Sequence, residues 1–218
     1  MQLAVTPVIP SHADIRSAEI LASVRQTFVE KGFDGASMQD LARAAGMSVG
    51  NFYRYFPSKA AIIQALIHAH SDEIQRDFAA ILTAPHPLAT LRLVLHGRVM
   101  DQDCNSDMSL WTEIEAAIRR SPGIAIAAQG MQTKVLDNFL AVFAAETRLS
   151  QEQANRRFSA LASYVLVMIK AASCLSCGSA LDQNEVRSMI LRNIDQTLDD
   201  VAAYPKSSAS PHSLAAAR

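Results

Sequence analysis

Apolar residues in this chain recur three and four positions apart, the spacing of helices that bury one face. The run from 37 to 59, SMQDLARAAGMSVGNFYRYFPSK, holds two such helices in quick succession. Leu41, Ala42, Ala45, Met47, Phe52 and Tyr55 stand where two short helices crossing at a steep angle need apolar or small side chains. Ala42 is small where the second helix must come close. Gly46 falls at the turn, where a positive φ is easiest for glycine. The polar positions left on the second helix, Ser48, Asn51, Tyr53 and Arg54, are those that would face a groove of DNA.

Amphipathic helix pairs with a glycine between them also serve as plain scaffold, so the flanks decide. Ser37 with Asp40 three residues on is a capping-box start for the first helix. Pro57-Ser58-Lys59 stops one helix and caps the next. Lys59 then stands in a helix first turn, where free backbone N–H groups and an ammonium point the same way. A phosphate is the natural occupant.

The helical period continues along the chain. A fourth helix is expected from 58 to about 82, ended by Ala84-Pro85-His86-Pro87, then a fifth over about 88–101 and a sixth over about 107–120. Ser121-Pro122 opens a seventh that runs to about 147. Ser150 with Gln153 begins an eighth to about 173, and Asp182 with Glu185 a ninth to about 204. Residues 1–13 and 205–218 read as a disordered arm and tail. With 8 Gly and 8 Pro among 218 residues and many Ala and Leu, an all-α fold is expected. The longest apolar stretch, 158–175, is interrupted by Lys170 and diluted by Ser159, Ser163 and Ser173. That suits a helix buried between subunits better than a membrane span. The first residues lack the features of a signal peptide, and a cytoplasmic protein is expected.

At this point the chain resembles a known family. Residues 20–67 are similar to the N-terminal domain of the tetracycline-repressor (TetR) family of transcriptional regulators. The resemblance rests on Phe28 with Lys31-Gly32-Phe33, Ser37, Ala42, Ala45-Gly46, Phe52-Tyr53, Tyr55-Phe56 and Ser58-Lys59. Departures are Val24 and Thr27 in the first helix and Ala60 where Glu is frequent, all away from the presumed DNA face. The resemblance implies a helix-turn-helix DNA-binding domain over 14–60 and a ligand-binding and dimerisation domain over 61–204. It implies a repressor that binds a near-palindromic operator as a homodimer. By position in the motif, Gln39, Val49, Gly50 and Tyr53 would approach base edges in the groove faced by Ser48. Ser37, Asn51, Tyr55 and Lys59 would hold phosphates.

Two stripes on the last helices exceed what one core needs: Tyr164, Val165, Met168, Ala171, Ala172 and Leu175, and Met189, Ile190, Ile194, Leu198 and Val201. The family resemblance implies that these helices pair with their copies in a four-helix bundle. The middle helices are the expected sensor of an apolar or aromatic small molecule. The candidates are Phe78, His96, Met100, Met108, Trp111, Phe139, Phe143, Tyr164 and Met168, although each of these also suits plain core.

Charge and cysteine content narrow the picture. The net charge is −1, and up to residue 60 six basic side chains face five acidic ones. Binding must then rely on local placement of Arg43, Arg54 and Lys59, not on a broad basic surface. Cys174 and Cys177 have redox or metal-ligand spacing, with Cys104 as a third sulfur, and a thiol-based redox sensor or small redox enzyme is the alternative reading. No second CxxC or adjacent His completes a zinc site. His68 and His70, two apart on a helix, point away from each other. No nucleophile elbow, paired-carboxylate site or metalloprotease helix is present, so neither an enzyme nor a metal or other cofactor is expected.

Overall fold

The computed structural model describes residues 12–100, 105–175 and 182–205. Among these residues the chain is helical, in the order α1 (His12–Gly35), α2 (Met38–Ala44), α3 (Val49–Tyr55), α4 (Lys59–Thr83), α5 (Pro87–Met100), α6 (Asn105–Ile118), α7 (Pro122–Thr147), α8 (Gln151–Cys174) and α9 (Gln183–Ala202). No described helix is long and apolar enough to cross a membrane.

Local chemistry sets most of the helix ends. Ser150 accepts from the Gln153 amide while Gln153 accepts from the Ser150 amide, a complete capping box at the start of α8. Asp182 Oδ1 accepts from the amides of both Asn184 and Glu185 at 3.0 Å and caps α9 alone. Pro87 and Pro122 occupy first helical positions, where their missing N–H costs nothing. The α7 end is different: Arg148, a non-glycine residue, takes φ 58° just past Thr147. Its Cβ makes that conformation costly by about 1 kcal/mol.

The chain divides into two compact units. The first comprises 12–71 with 105–131, and the second holds the remaining described residues. Val24 and Phe28 of α1, Leu41 of α2, Phe52 of α3 and Ile62, Ile63 and Ile67 of α4 share one buried core with Leu110 and Ile114 of α6 and Ile124 of α7. The packing boundary and the boundary read from sequence, at residue 60, therefore differ. The first turns of α4 and the part of α6 from Leu110 to Ile118 complete the core of the DNA-reading helices. Two seven-residue helices could not hold themselves together otherwise.

In the second unit an aromatic chain runs from Phe78 to Phe139, Phe143, Phe158 and Tyr204, with successive ring centres 5.3–6.5 Å apart. Leu91, Leu95, Ile194, Leu198 and Val201 pack in the same core. The stripes on α8 and α9 separate here into two sets. Val165, Met168, Ala172, Ile194, Leu198 and Val201 are buried within the subunit itself. Met168 and Ile194 thus belong to the subunit's own core and not to a surface awaiting a partner. Tyr164 and Met189 of the two stripes remain outside, 46% and 49% exposed, as does Val167, not among the stripe positions, at 60%. Cys104, Cys177 and the Cys174 side chain lie outside the described residues.

Candidate nucleic-acid interface

The reading unit is built from capped ends. Ser37 Oγ accepts from the Asp40 amide, and the Asp40 carboxylate accepts from the Ser37 amide and hydroxyl, closing the expected capping box on α2. At the other end, the Met47 amide donates to Ala42 O at 2.9 Å and the Gly46 amide to Arg43 O at 3.0 Å. These are the two bonds of a Schellman turn, with Gly46 at φ 64° in the left-handed position. Ser48 then caps α3 by accepting from the Asn51 amide at 3.3 Å.

On α3 only Phe52 turns inward. Val49, Gly50, Asn51, Tyr53, Arg54 and Tyr55 all face solvent, as does Gln39 on α2. A Cβ at Gly50 would meet nothing within 4 Å, so no internal packing requires the glycine there. Its backbone is bare on the outer face. Tyr55 was expected to pack between the helices, but it is 37% exposed, and Phe56, 5% exposed, fills that place. The reason is rotational: α3 ends at Tyr55, and Phe56 leaves the helix in an extended conformation that swings its ring inward.

The charges sort into engaged and free. Arg16 pairs with Glu19 at 2.6 Å and Lys31 with Asp40 at 2.8 Å. Lys59 Nζ donates to Phe33 O at 2.7 Å and Asp34 O at 3.1 Å, and sits 5.0 Å from the Phe33 ring centre. Two of its three N–H donors thus tie α4 to the end of α1. Arg43 is 79% exposed and only 3.6 Å from Asp40, a loose contact. Arg54 has no ion-pair partner among the described residues.

Residues 20–66 match the family model described as bacterial regulatory proteins, tetR family. The chain is 26% identical over 189 residues to the HTH-type transcriptional regulator BetI of Yersinia pestis, covering 85% of this chain and 93% of that protein. It is 46% identical across 54 residues to the HTH-type transcriptional regulator EthR of Mycolicibacterium smegmatis, covering 25% of each. The solved structure of Salmonella enterica GusR aligns with a TM-score of 0.66 at 22% identity, over 87% of this chain and 98% of that one. The chain belongs to the TetR family. It is a DNA-binding transcriptional regulator by family.

In this TetR-family chain the described sensor candidates fall in both compact units. Phe78, Phe139, Phe143 and Met168 are together in the core of the second unit. Trp111 packs in the first unit, its ring 4.9 Å from that of His70. His96 Nε2 lies 2.9 Å from Asp195 Oδ1, an oxygen that also accepts from Arg92 at 2.8 Å, so His96 belongs to a joint between α5 and α9. Met100 and Tyr164 are exposed, and the Met108 side chain lies outside the described residues. An open cleft of about 270 Å³ in the second unit is lined by His86, Leu88, Ala89, Arg92, Glu146 and Ala202, none of them a candidate. Side chains at matching helical positions need not meet, because their helices cross at angles the sequence does not state.

Asp40 gives the TetR-type reading unit an acid-sensitive joint. Its carboxyl is held well below the usual carboxylate range, first by the hydrogen bond from Lys31, then by those from the Ser37 hydroxyl and amide. A carboxyl whose pKa is lowered by folding contributes stability that is present above its ordinary value of 3.8 and is lost as the pH falls below it. Asp40→Asn is therefore expected to be less stable than the unmodified chain at neutral pH. The difference should close as the pH drops from about 4 towards 2. Urea unfolding at each pH measures it, and a gap that stayed constant would mean that the charge of Asp40 is not what matters.

Proposed function

We propose that this chain is a ligand-responsive repressor that binds a near-palindromic operator as a homodimer. The observation that carries the reading is the outer face of α3, where every side chain except Phe52 is turned to solvent around a bare Gly50 backbone. A recognition helix entering the major groove needs such a face, with no internal duty for its outward residues. In this reading Gln39, Val49, Gly50 and Tyr53 approach base edges, and Ser37, Ser48, Asn51 and Tyr55 lie along the flanking backbone. Arg43 and Arg54 are the free charges for phosphates, and the third N–H of Lys59 is left for another.

Selecting duplexes from a random pool with the full chain tests this reading. A near-palindrome should emerge. Arg54→Ala should weaken binding to all sequences alike and lower the salt slope by about one. Changes at Val49 or Tyr53 should instead alter which sequence is preferred. A chain that enriches no sequence would remove the reading.

The dimer face is assigned to Tyr164, Val167 and Met189. The Tyr164 hydroxyl donates to Asn193 Oδ1 at 3.4 Å, which makes the outer sides of α8 and α9 one continuous surface. Large apolar groups left this exposed on neighbouring helices favour burial against a second copy. Two copies would set two α3 helices about 34–36 Å apart, one turn of DNA. Val167→Asp should yield folded monomers in sedimentation experiments, since Val167 is 60% exposed and its change leaves the core alone. A monomeric unmodified chain would exclude this assembly.

The effector is an apolar or aromatic small molecule, received among the Phe78, Phe139, Phe143 and Met168 side chains. α4 contributes residues to both units, and its 25 residues span about 37 Å at the helical rise. A ligand can release DNA only by binding the DNA-incompetent arrangement more tightly, and DNA must weaken ligand binding by the same factor. For any compound that binds, affinity measured with and without saturating operator should differ. Equal affinities would leave the effector without control of DNA binding.

A further inference from the structure

The chain turns sharply at the end of α1. Gly32 breaks the helix with φ 69° and ψ 167°, a region that essentially only glycine enters. The break removes the Phe33 amide from the helical hydrogen-bond ladder, so this N–H needs another partner. It donates to Glu113 Oε2 on α6 at 2.7 Å, across 80 positions of sequence. The carbonyl of the same residue accepts from Lys59 on α4. One residue is thus gripped through both of its backbone polar groups, by α6 on the amide and α4 on the carbonyl. The Glu113 carboxylate also fills the space beside Gly32, 3.3 Å from where a Cβ would stand.

We propose that Glu113 is a positioning residue for DNA binding. Acting through Phe33, it sets the elbow from which α2 and α3 are presented, although it lies far outside the matched segment 20–66. The proposal rests on the DNA-binding reading above and adds a residue to it. A second bond from the same side, Arg120 to Asp34 at 2.8 Å, joins α7's approach to the elbow, but both side chains are more than half exposed. Exposed pairs of this kind contribute little. The Glu113 bond is charge-assisted and partly buried, so it dominates. α6 cannot shift along its axis without breaking this bond or carrying Phe33 with it. The elbow is therefore where a displacement of α6 is converted into a change of α3 presentation.

Glu113→Ala and Glu113→Gln, in the full chain, test the assignment against the selected operator and a scrambled duplex. Glu113→Ala should speed exchange of the Phe33 amide proton in NMR. At a temperature where the variant is folded, it should also weaken operator binding roughly tenfold, the size of one lost charge-assisted bond. Affinity for the scrambled duplex should stay unchanged, because phosphate attraction does not depend on the elbow. Glu113→Gln keeps an acceptor in place and should recover most of the operator affinity. If Glu113→Ala does not fold, Glu113→Asp, one methylene too short to reach, takes its place with the same expectation. A lower unfolding midpoint with an unchanged ratio of operator to scrambled affinity would overturn the proposal, leaving Glu113 a purely structural residue. A glutamine variant as weak as alanine would overturn it as well. An unmodified chain that selects no operator would overturn the DNA-binding reading and this proposal together, whereas normal selection with an unaffected Glu113→Ala overturns the proposal alone.

Discussion

A backbone that breaks its helix at Gly32 must find new partners for the polar groups it frees, and the DNA-reading end depends on how it does so. Each such group left unpaired away from water costs about 1–3 kcal/mol. Here the Phe33 amide goes to Glu113, and the Phe33 and Asp34 carbonyls go to Lys59. The next turn is closed by Ser37 and Asp40, and Lys31 links Asp40 back to α1. α2 and α3 have seven residues each, too few to persist as isolated helices. Their geometry is inherited from the elbow on one side and from the shared core of Phe28, Leu41, Phe52 and Ile63 on the other.

The same economy governs charge. A chain of net charge −1 cannot hold DNA by general attraction, and several of its basic groups are engaged in building the fold. Lys31 and Lys59 serve the elbow, and Arg120 pairs with Asp34. What remains on the reading face is Arg43 and Arg54 with a set of neutral polar and aromatic side chains. In the proposed docking such a surface would discriminate between sequences better than it would adhere to them. Two copies acting together would supply the affinity that one copy lacks, and in the proposed dimer the exposed Tyr164, Val167 and Met189 on α8 and α9 would form the surface for that pairing.

How much was legible in the sequence follows the range of the interaction responsible. Helix ends follow from contacts within three or four residues: Ser37 with Asp40, Gly46 at its turn, Pro122, Ser150 with Gln153, and Asp182. These residue types carry their capping chemistry wherever they stand, so the helices among the described residues were readable from the chain alone, and so was the outward face of α3 apart from Tyr55. The left-handed Arg148 was not, since no local preference puts an arginine there.

The tertiary structure decided everything that depends on which helix covers which face. Periodicity shows that α8 and α9 have two apolar sides. It does not say that Met168 and Ile194 turn into the subunit while Tyr164 and Val167 turn out. It marks Phe78 and Trp111 as equally plausible lining, yet they belong to different cores. It places Lys59 in a helix first turn but does not say that two backbone carbonyls also come to its ammonium. Glu113 carries no local signal at all, because its partner is 80 residues away. A side chain's chemistry is written in the sequence, but the polar group it satisfies is fixed only when distant helices pack together.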